Sequence, residues 1–370
     1  MATNGDKLYK IVEEYSELGV HRAGTDVDTA TAKWMTQKLT ELGLRVDTED
    51  VPFDRYVADS DLTIDGESVD HLAVYYEWEG SLDTTNVAVE SLDPKRGGFT
   101  DTLAEPIKEV RRRGYDAAVF VTEHPNDALV AINRDPGAGS GFPTVLVAAR
   151  DLTPKRDHKV RLKLDAHLEP GHTTNLSAYT ARTSHSSPPL LLTTPLTGWF
   201  TCAGERGTGV AVLLHLIERF RDQPLHVLAT GGHELDYLGA RRWDGETPAA
   251  IVHVGASVAV DEPSPQGRTL ISTRIAMTNL DATTAAGMSE ALATIDLRLV
   301  TDTQRWMGES EVFCQIPAPM LSFTGSGIDF HTPDDTPERV TSPKSLALVA
   351  DAIGDAVQAM TSSSNPVATS

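Results

Sequence analysis

Four short stretches carry the residue types that bind metals and move protons. They are Ala203-Gly204-Glu205-Arg206-Gly207-Thr208-Gly209, Gly231-Gly232-His233-Glu234-Leu235, Ile251-Val252-His253-Val254-Gly255, and Phe330-His331-Thr332-Pro333-Asp334-Asp335-Thr336-Pro337-Glu338. Each stands at or near the end of a predicted strand. In a parallel sheet the strand carboxyl ends gather along one edge, and ligand sites form there. Carboxylates and imidazoles converging on that edge suit a divalent metal, zinc before others. Taken singly, each stretch has a plainer reading. Glu205 could cap a helix, His233-Glu234 could be solvated turn residues, and His253 could be a hydrogen-bonded core histidine. The string HTPDDTPE is harder to explain that way, because an ordinary loop has no need of that order of residues.

The elements that must position these residues follow from periodicity. Residues 6–18 and 28–43 read as helices, the second with Ala32, Trp34, Met35, Leu39 and Leu42 near helical spacing and Gly43 as its stop. His21 to Asp26 reads as a polar connection between them. From about Val51 to His172 the chain shows short strand-like runs and one helix, Leu103 to Arg113. After Thr173 strands and helices alternate, which predicts an α/β fold whose mainly parallel sheet is sandwiched by helices. The expected division is therefore an α/β domain from 1–52 and 172–362, a β-rich domain inserted at 53–171, and a disordered tail at 363–370.

Composition narrows the function. Of 370 residues, 32 are Lys or Arg and 53 are Asp or Glu, a formal net charge of −21. Such a surface repels phosphate backbones and anionic membranes, so neither nucleic acid nor membrane is an expected partner. Excess acid with little Lys is what a protein needs in concentrated salt; an acidic mesophile protein is the other reading. No run is long and apolar enough for a transmembrane helix, and the first residues lack the pattern of a signal peptide. Only Cys202 and Cys314 are present, too few for a disulfide scaffold. A cytoplasmic protein is expected. Cys202 reads as a small core residue, since no His or Asn partner is set beside it.

The quoted stretches resemble the MH-clan zinc aminopeptidases, the superfamily of bacterial aminopeptidases, glutamate carboxypeptidase and glutaminyl cyclase. AGERGTGVAVLLHLIERF is similar to the family's G-A-x-D-N-x-S-G stretch and its helix. ATGGHELDYLGARRW is similar to the strand ending in G-x-E-E-x-G-x-x-G-S, and FHTPDDTPERV to the closing H-T-x-x-D-T-x-E segment. HRAGTDVDTATAKWMTQKLTELGLRV resembles the amino-terminal helix pair, and 53–171 resembles an inserted protease-associated domain.

Family members hold two zinc ions, and a Glu serves as general base. This chain departs from that pattern at several positions. The first ligand motif, H-x-D, falls on Pro195 and Thr197. The bridging Asp falls on Glu205, the general-base Glu on His233, and a further Asp on His253, or on Val254 with a shift of one residue. Glu234 and His331 match family ligands. The resemblance implies one zinc held by Glu205, Glu234 and His331, with His253 as a fourth ligand or a support to them. His233 is then the catalytic base, or a ligand itself. The implied activity is a divergent metallohydrolase acting on a small peptide or amide through a single zinc. The alternative is a metal-free binding or structural protein of the same fold.

Overall fold

A computed structural model of the protein describes residues 3–95, 101–152, 158–181 and 188–363. Six strands of its large sheet matter for the site: β1 (Arg45–Ile64), β2 (Val160–Tyr179), β3 (Leu190–Pro195), β4 (Leu225–Thr230), β5 (Ala250–Val254) and β6 (Met320–Thr324). Their order is β6-β5-β3-β4-β2-β1. The first four run parallel; β2 is antiparallel to both β4 and β1. On the outer side of β6, Ile275–Thr278 pairs antiparallel to it. The sheet is thus mixed rather than mainly parallel, with a parallel centre between antiparallel flanks.

The parallel centre follows from composition. Every residue of β3, β4 and β5 is buried, as expected of strands covered on both faces. The pleat sends Leu190, Leu192, Val227 and Val252 into one core, and Leu191, Leu228 and Ile251 into another. The first core is closed by helices α1 (Gly5–Glu17), α3 (Thr208–Phe220) and α4 (Pro343–Ser363), which pack on one another. Helix α2 (Asp26–Glu41) packs across β2 and β1. Asn4 and Thr25 cap α1 and α2 through side-chain oxygens. After β4 the chain forms only the short helix Leu238–Arg242, because Gly232, Asp236 and Tyr237 all take left-handed backbone angles.

A separate four-stranded sheet, His71–Ala73, Thr144–Ala148, Ala117–Thr122 and Val87–Leu92 in that order, lies in the chain between β1 and β2 with the helix Ala104–Arg112. The expected boundaries at 52/53 and 171/172 both fall inside long strands. β1 and β2 pair without a break from Arg45↔Tyr179 to Ile64↔Val160. Pro52 and Pro170 suit mid-ladder positions because neither strand has a second neighbour there. Among the described residues no helix is long and apolar enough to cross a membrane. The tail expected to be disordered lies, but for Ser363, outside the described residues.

Candidate functional site

The carboxyl ends of β3, β4 and β6 bring Glu205, His233, Glu234 and His331 to one edge. After β3 the chain enters a strained turn: Phe200 and Cys202 have φ of 57° and 50°, positive values uncommon for residues other than glycine. One π-helical turn, Ala203–Gly207, then opens α3. Such turns inside helices often mark functional sites. Asp335 holds this turn through both carboxylate oxygens, accepting from the Gly204 and Glu205 backbone N–H groups at 2.6 and 3.0 Å. Burial pushes the Asp335 carboxyl up to about 7, against the pull of those two bonds. Gly198 faces the turn closely enough that a Cβ there would lie 2.9 Å from Cys202 Sγ and 3.4 Å from Glu205 Oε1.

The positive charge at this turn comes from Arg206. Its Nη2 lies 2.7 Å from Glu205 Oε1, and both side chains are essentially inaccessible to water. Arg206 Nε donates to the Thr197 carbonyl at 2.8 Å. Burial alone would raise the Glu205 carboxyl, but Arg206 and then His331 outweigh it and hold it at about 2. His331, at φ 61°, places Nε2 3.4 Å from Glu205 Oε1. Its Nδ1 lies 3.2 Å from the Ala131 carbonyl, in the chain between β1 and β2.

Glu234 is committed at both oxygens. Oε1 accepts from the Ala23 N–H at 2.8 Å, and Oε2 accepts from the Thr197 hydroxyl at 2.6 Å. Arg22 Nη1 lies 3.5 Å from Oε1. The Arg22 guanidinium rests against the rings of Trp199, at 4.0 Å, and Tyr75, at 4.5 Å. The first half of the segment read as a polar connection, His21 to Ala23, is therefore buried. His21 is part of it, stacked on Tyr15 and bonded to Thr31 and to the Tyr15 carbonyl.

The two other histidines lie elsewhere in the network. His233 donates its backbone N–H to Thr197 Oγ1 at 3.1 Å, and its Nδ1 sits 3.2 Å from Glu309 Oε1. Burial, then Arg206, lowers its pKa. Glu309 also accepts from Thr230 at 2.8 Å. Glu309, like Arg206 and Arg22, is a site residue that the sequence did not reveal. It follows Trp306-Met307-Gly308 in a stretch without periodicity, and no motif marks it. His253 bonds through Nδ1 to Thr193 Oγ1 at 2.7 Å, and burial pulls its pKa down to about 4. That is the hydrogen-bonded core histidine of the plainer reading. Cys202 is buried and its thiol pKa is raised by that burial, which suits packing rather than nucleophilic attack.

The donor set does not fit zinc. Among the described residues, no three His, Cys, Asp or Glu side chains are grouped so as to hold a metal ion. The physical reason is local. A permanently charged guanidinium lies against Glu205, and Glu234 has both oxygens turned to N–H and O–H donors. A metal would have to share the Glu234 oxygens with those donors and its own space with the Arg206 guanidinium.

No protein-family model and no curated protein matches the sequence. Solved structures do match. A zinc aminopeptidase from Bacillus subtilis superposes with a TM-score of 0.73 at 16% identity, covering 96% of this chain and 94% of that one. A peptidase M28 precursor from Shewanella amazonensis gives 0.71 at 16%, covering 97% and 93%. A glutaminyl cyclase from Porphyromonas gingivalis gives 0.52 at 10%, covering 97% and 99%. Over nearly its whole length, then, this chain has the fold of the zinc aminopeptidases.

Proposed function

We propose that this chain is a metal-free, non-hydrolytic binding protein built on the zinc aminopeptidase fold. The observation that carries this reading is the Arg206–Glu205 pair, 2.7 Å apart with both side chains shielded from solvent. Positive charge that a catalytic ion would supply comes here from a side chain, and a guanidinium neither ionises water nor offers an open coordination position. The pinning of Glu234 by Ala23, Thr197 and Arg22 supports it too. One observation favours the second reading, a single-zinc hydrolase of small peptides or amides. Glu205 Oε1 and His331 Nε2 lie 3.4 Å apart, as two ligands of one ion would.

Metal analysis and activity separate the two readings. Protein purified with zinc in every buffer should carry far less than one zinc per chain. It should leave aminoacyl nitroanilides and amino-terminal glutaminyl peptides intact. Near-stoichiometric zinc, with turnover abolished by Glu205→Ala and by His331→Ala, would establish the hydrolase instead.

A further inference from the structure

Arg22 is a buried guanidinium with little to bind. Its side chain is 7% exposed. It makes no hydrogen bond to any described residue, and Nη1 is fully enclosed without one. Its nearest acceptor, Glu234 Oε1 at 3.5 Å, is a charge contact only and is already bonded by the Ala23 N–H. Enclosing guanidinium donors with one long charge contact and no hydrogen bond is costly, so such a group implies a further partner.

Beside it lies a cleft of about 180 Å³. Arg22, Thr25 and Arg55 supply the polar side chains of its wall, together with the aromatic rings of Phe53, Tyr56, Tyr75 and Tyr76. No Asp or Glu lines it, although the molecule as a whole carries a net charge of −21. Arg55 is spoken for: it pairs with Glu169 and donates to the Gly24 carbonyl at 3.0 Å. Of the two guanidinium groups on the cleft, that of Arg22 is the one without a hydrogen bond to a described residue. Tyr75 and Trp199 cover the flat of that guanidinium, while its N–H groups lie in the plane, where a carboxylate is held by two parallel bonds. The volume equals on the order of six waters, at about 30 Å³ each. It suits a carboxylate with a few heavy atoms behind it.

We infer that this cleft binds the carboxylate of a small ligand, an organic acid or the carboxyl end of a short peptide, through the in-plane edge of Arg22. The inference deepens the binding-protein reading and rests on it. Its failure leaves the zinc assays untouched, so the two can fail separately.

The test is calorimetric titration of the full chain at low ionic strength with four probes: N-acetyl-alanine, N-acetyl-alaninamide, propanoate and chloride. N-acetyl-alanine should bind at least tenfold more tightly than its amide, which keeps the shape and lacks the charge. Binding of propanoate as strong as that of N-acetyl-alanine would identify a simple organic acid as the source, and weaker binding a peptide end. Arg22→Gln should remove binding. Because that change touches a buried network, Ala58→Trp serves as a second variant. It fills the cleft wall and leaves Arg22 in place, and it should also remove binding. Equal affinity for acid and amide, competition by chloride at equal concentration, or full binding by folded Ala58→Trp would each overturn the inference.

Discussion

Arg206 and Glu205 are neighbours in sequence whose side chains meet, Nη2 to Oε1, at 2.7 Å in the interior of the protein. Adjacent residues on a regular helix point about 100° apart and do not face one another. The π-helical turn Ala203–Gly207 and the left-handed Cys202 before it bring these two together. Removing one member strands the other. Arg206→Met should destabilise the fold by about 3–5 kcal/mol, the usual cost of an unpaired buried charge. Arg206→Met with Glu205→Gln should recover much of that loss. Urea unfolding of the four forms of the cycle measures it, and additive losses would mean that the pair is not coupled.

The same pair sets an acid dependence. Glu205 is held at about 2, against an ordinary value of 4.5. Its folded pKa is depressed, so its contribution is complete above about 4.5 and is lost as pH falls toward 2. The size is on the order of 3 kcal/mol. Glu205→Gln lacks a titrating group, so its stability relative to wild type should improve steadily over that window. Urea midpoints taken at several pH values for both proteins report the difference. Parallel curves would contradict the assignment.

Histidine titration gives an independent check. Burial lowers His21 and His253 to about 4 from 6.5. Both should stay neutral, with unshifted ring resonances, from pH 8 down to about 5. Their depressed values mean that the unfolded chain binds more protons between 4 and 6.5, so each contributes stability that is lost as pH drops through that range. A ring signal of either residue titrating near 6.5 would show its site open to water.

Thr197 ties three site residues together, donating to Glu234, accepting from the His233 N–H and offering its carbonyl to Arg206. Thr197→Ala leaves a buried carboxylate oxygen and a buried N–H without their partner. The expected loss is about 1–3 kcal/mol. Thr197→Ser keeps the hydroxyl and should restore most of it. Equal losses for Ala and Ser would point to the methyl group's packing rather than to the hydrogen bonds.

Metal removal should change nothing. With Glu205 and Glu234 already paired inside the protein, dialysis against EDTA should leave the melting temperature where it was, and added zinc should not raise it. A ligand that binds only the folded state at a hundred times its Kd would add about 2.7 kcal/mol, a readily measured rise. Such a rise with zinc, lost in His331→Ala, would reinstate the single-zinc site.

Much of the architecture was legible in the sequence because the parallel strands are solidly apolar and the helices α1 to α4 are periodic. The edge holding Glu205, Glu234 and His331 was legible too, since strand ends fix it. Other features left no trace. β2 alternates cleanly only over residues 160–166, and the middle portions of both strands are polar and exposed or half-buried, so neither reads as one continuous strand. The antiparallel flank of the sheet was hidden for that reason. Arg206 was in plain view, but its role depends on a π-helical turn that no periodicity announces. Arg22 looked solvated because its neighbours are polar; only packing against Trp199 and Tyr75 shows it to be inside. Glu309 reaches the site through tertiary packing alone.

The unbroken pairing of β1 with β2 bears on how the molecule can move. Twenty residues of each strand are joined rung by rung, a ribbon about 65 Å long at the usual rise of 3.3 Å per residue. A two-stranded ribbon carries load as a beam does. The segment between β1 and β2 cannot rotate about a single loose residue as a door does on its pin. It can only flex, with deformation spread over many rungs and a restoring force throughout. Small excursions that snap back, rather than wide opening, are what this ribbon permits, and the cleft beside Arg22 should keep nearly the same width whether filled or empty.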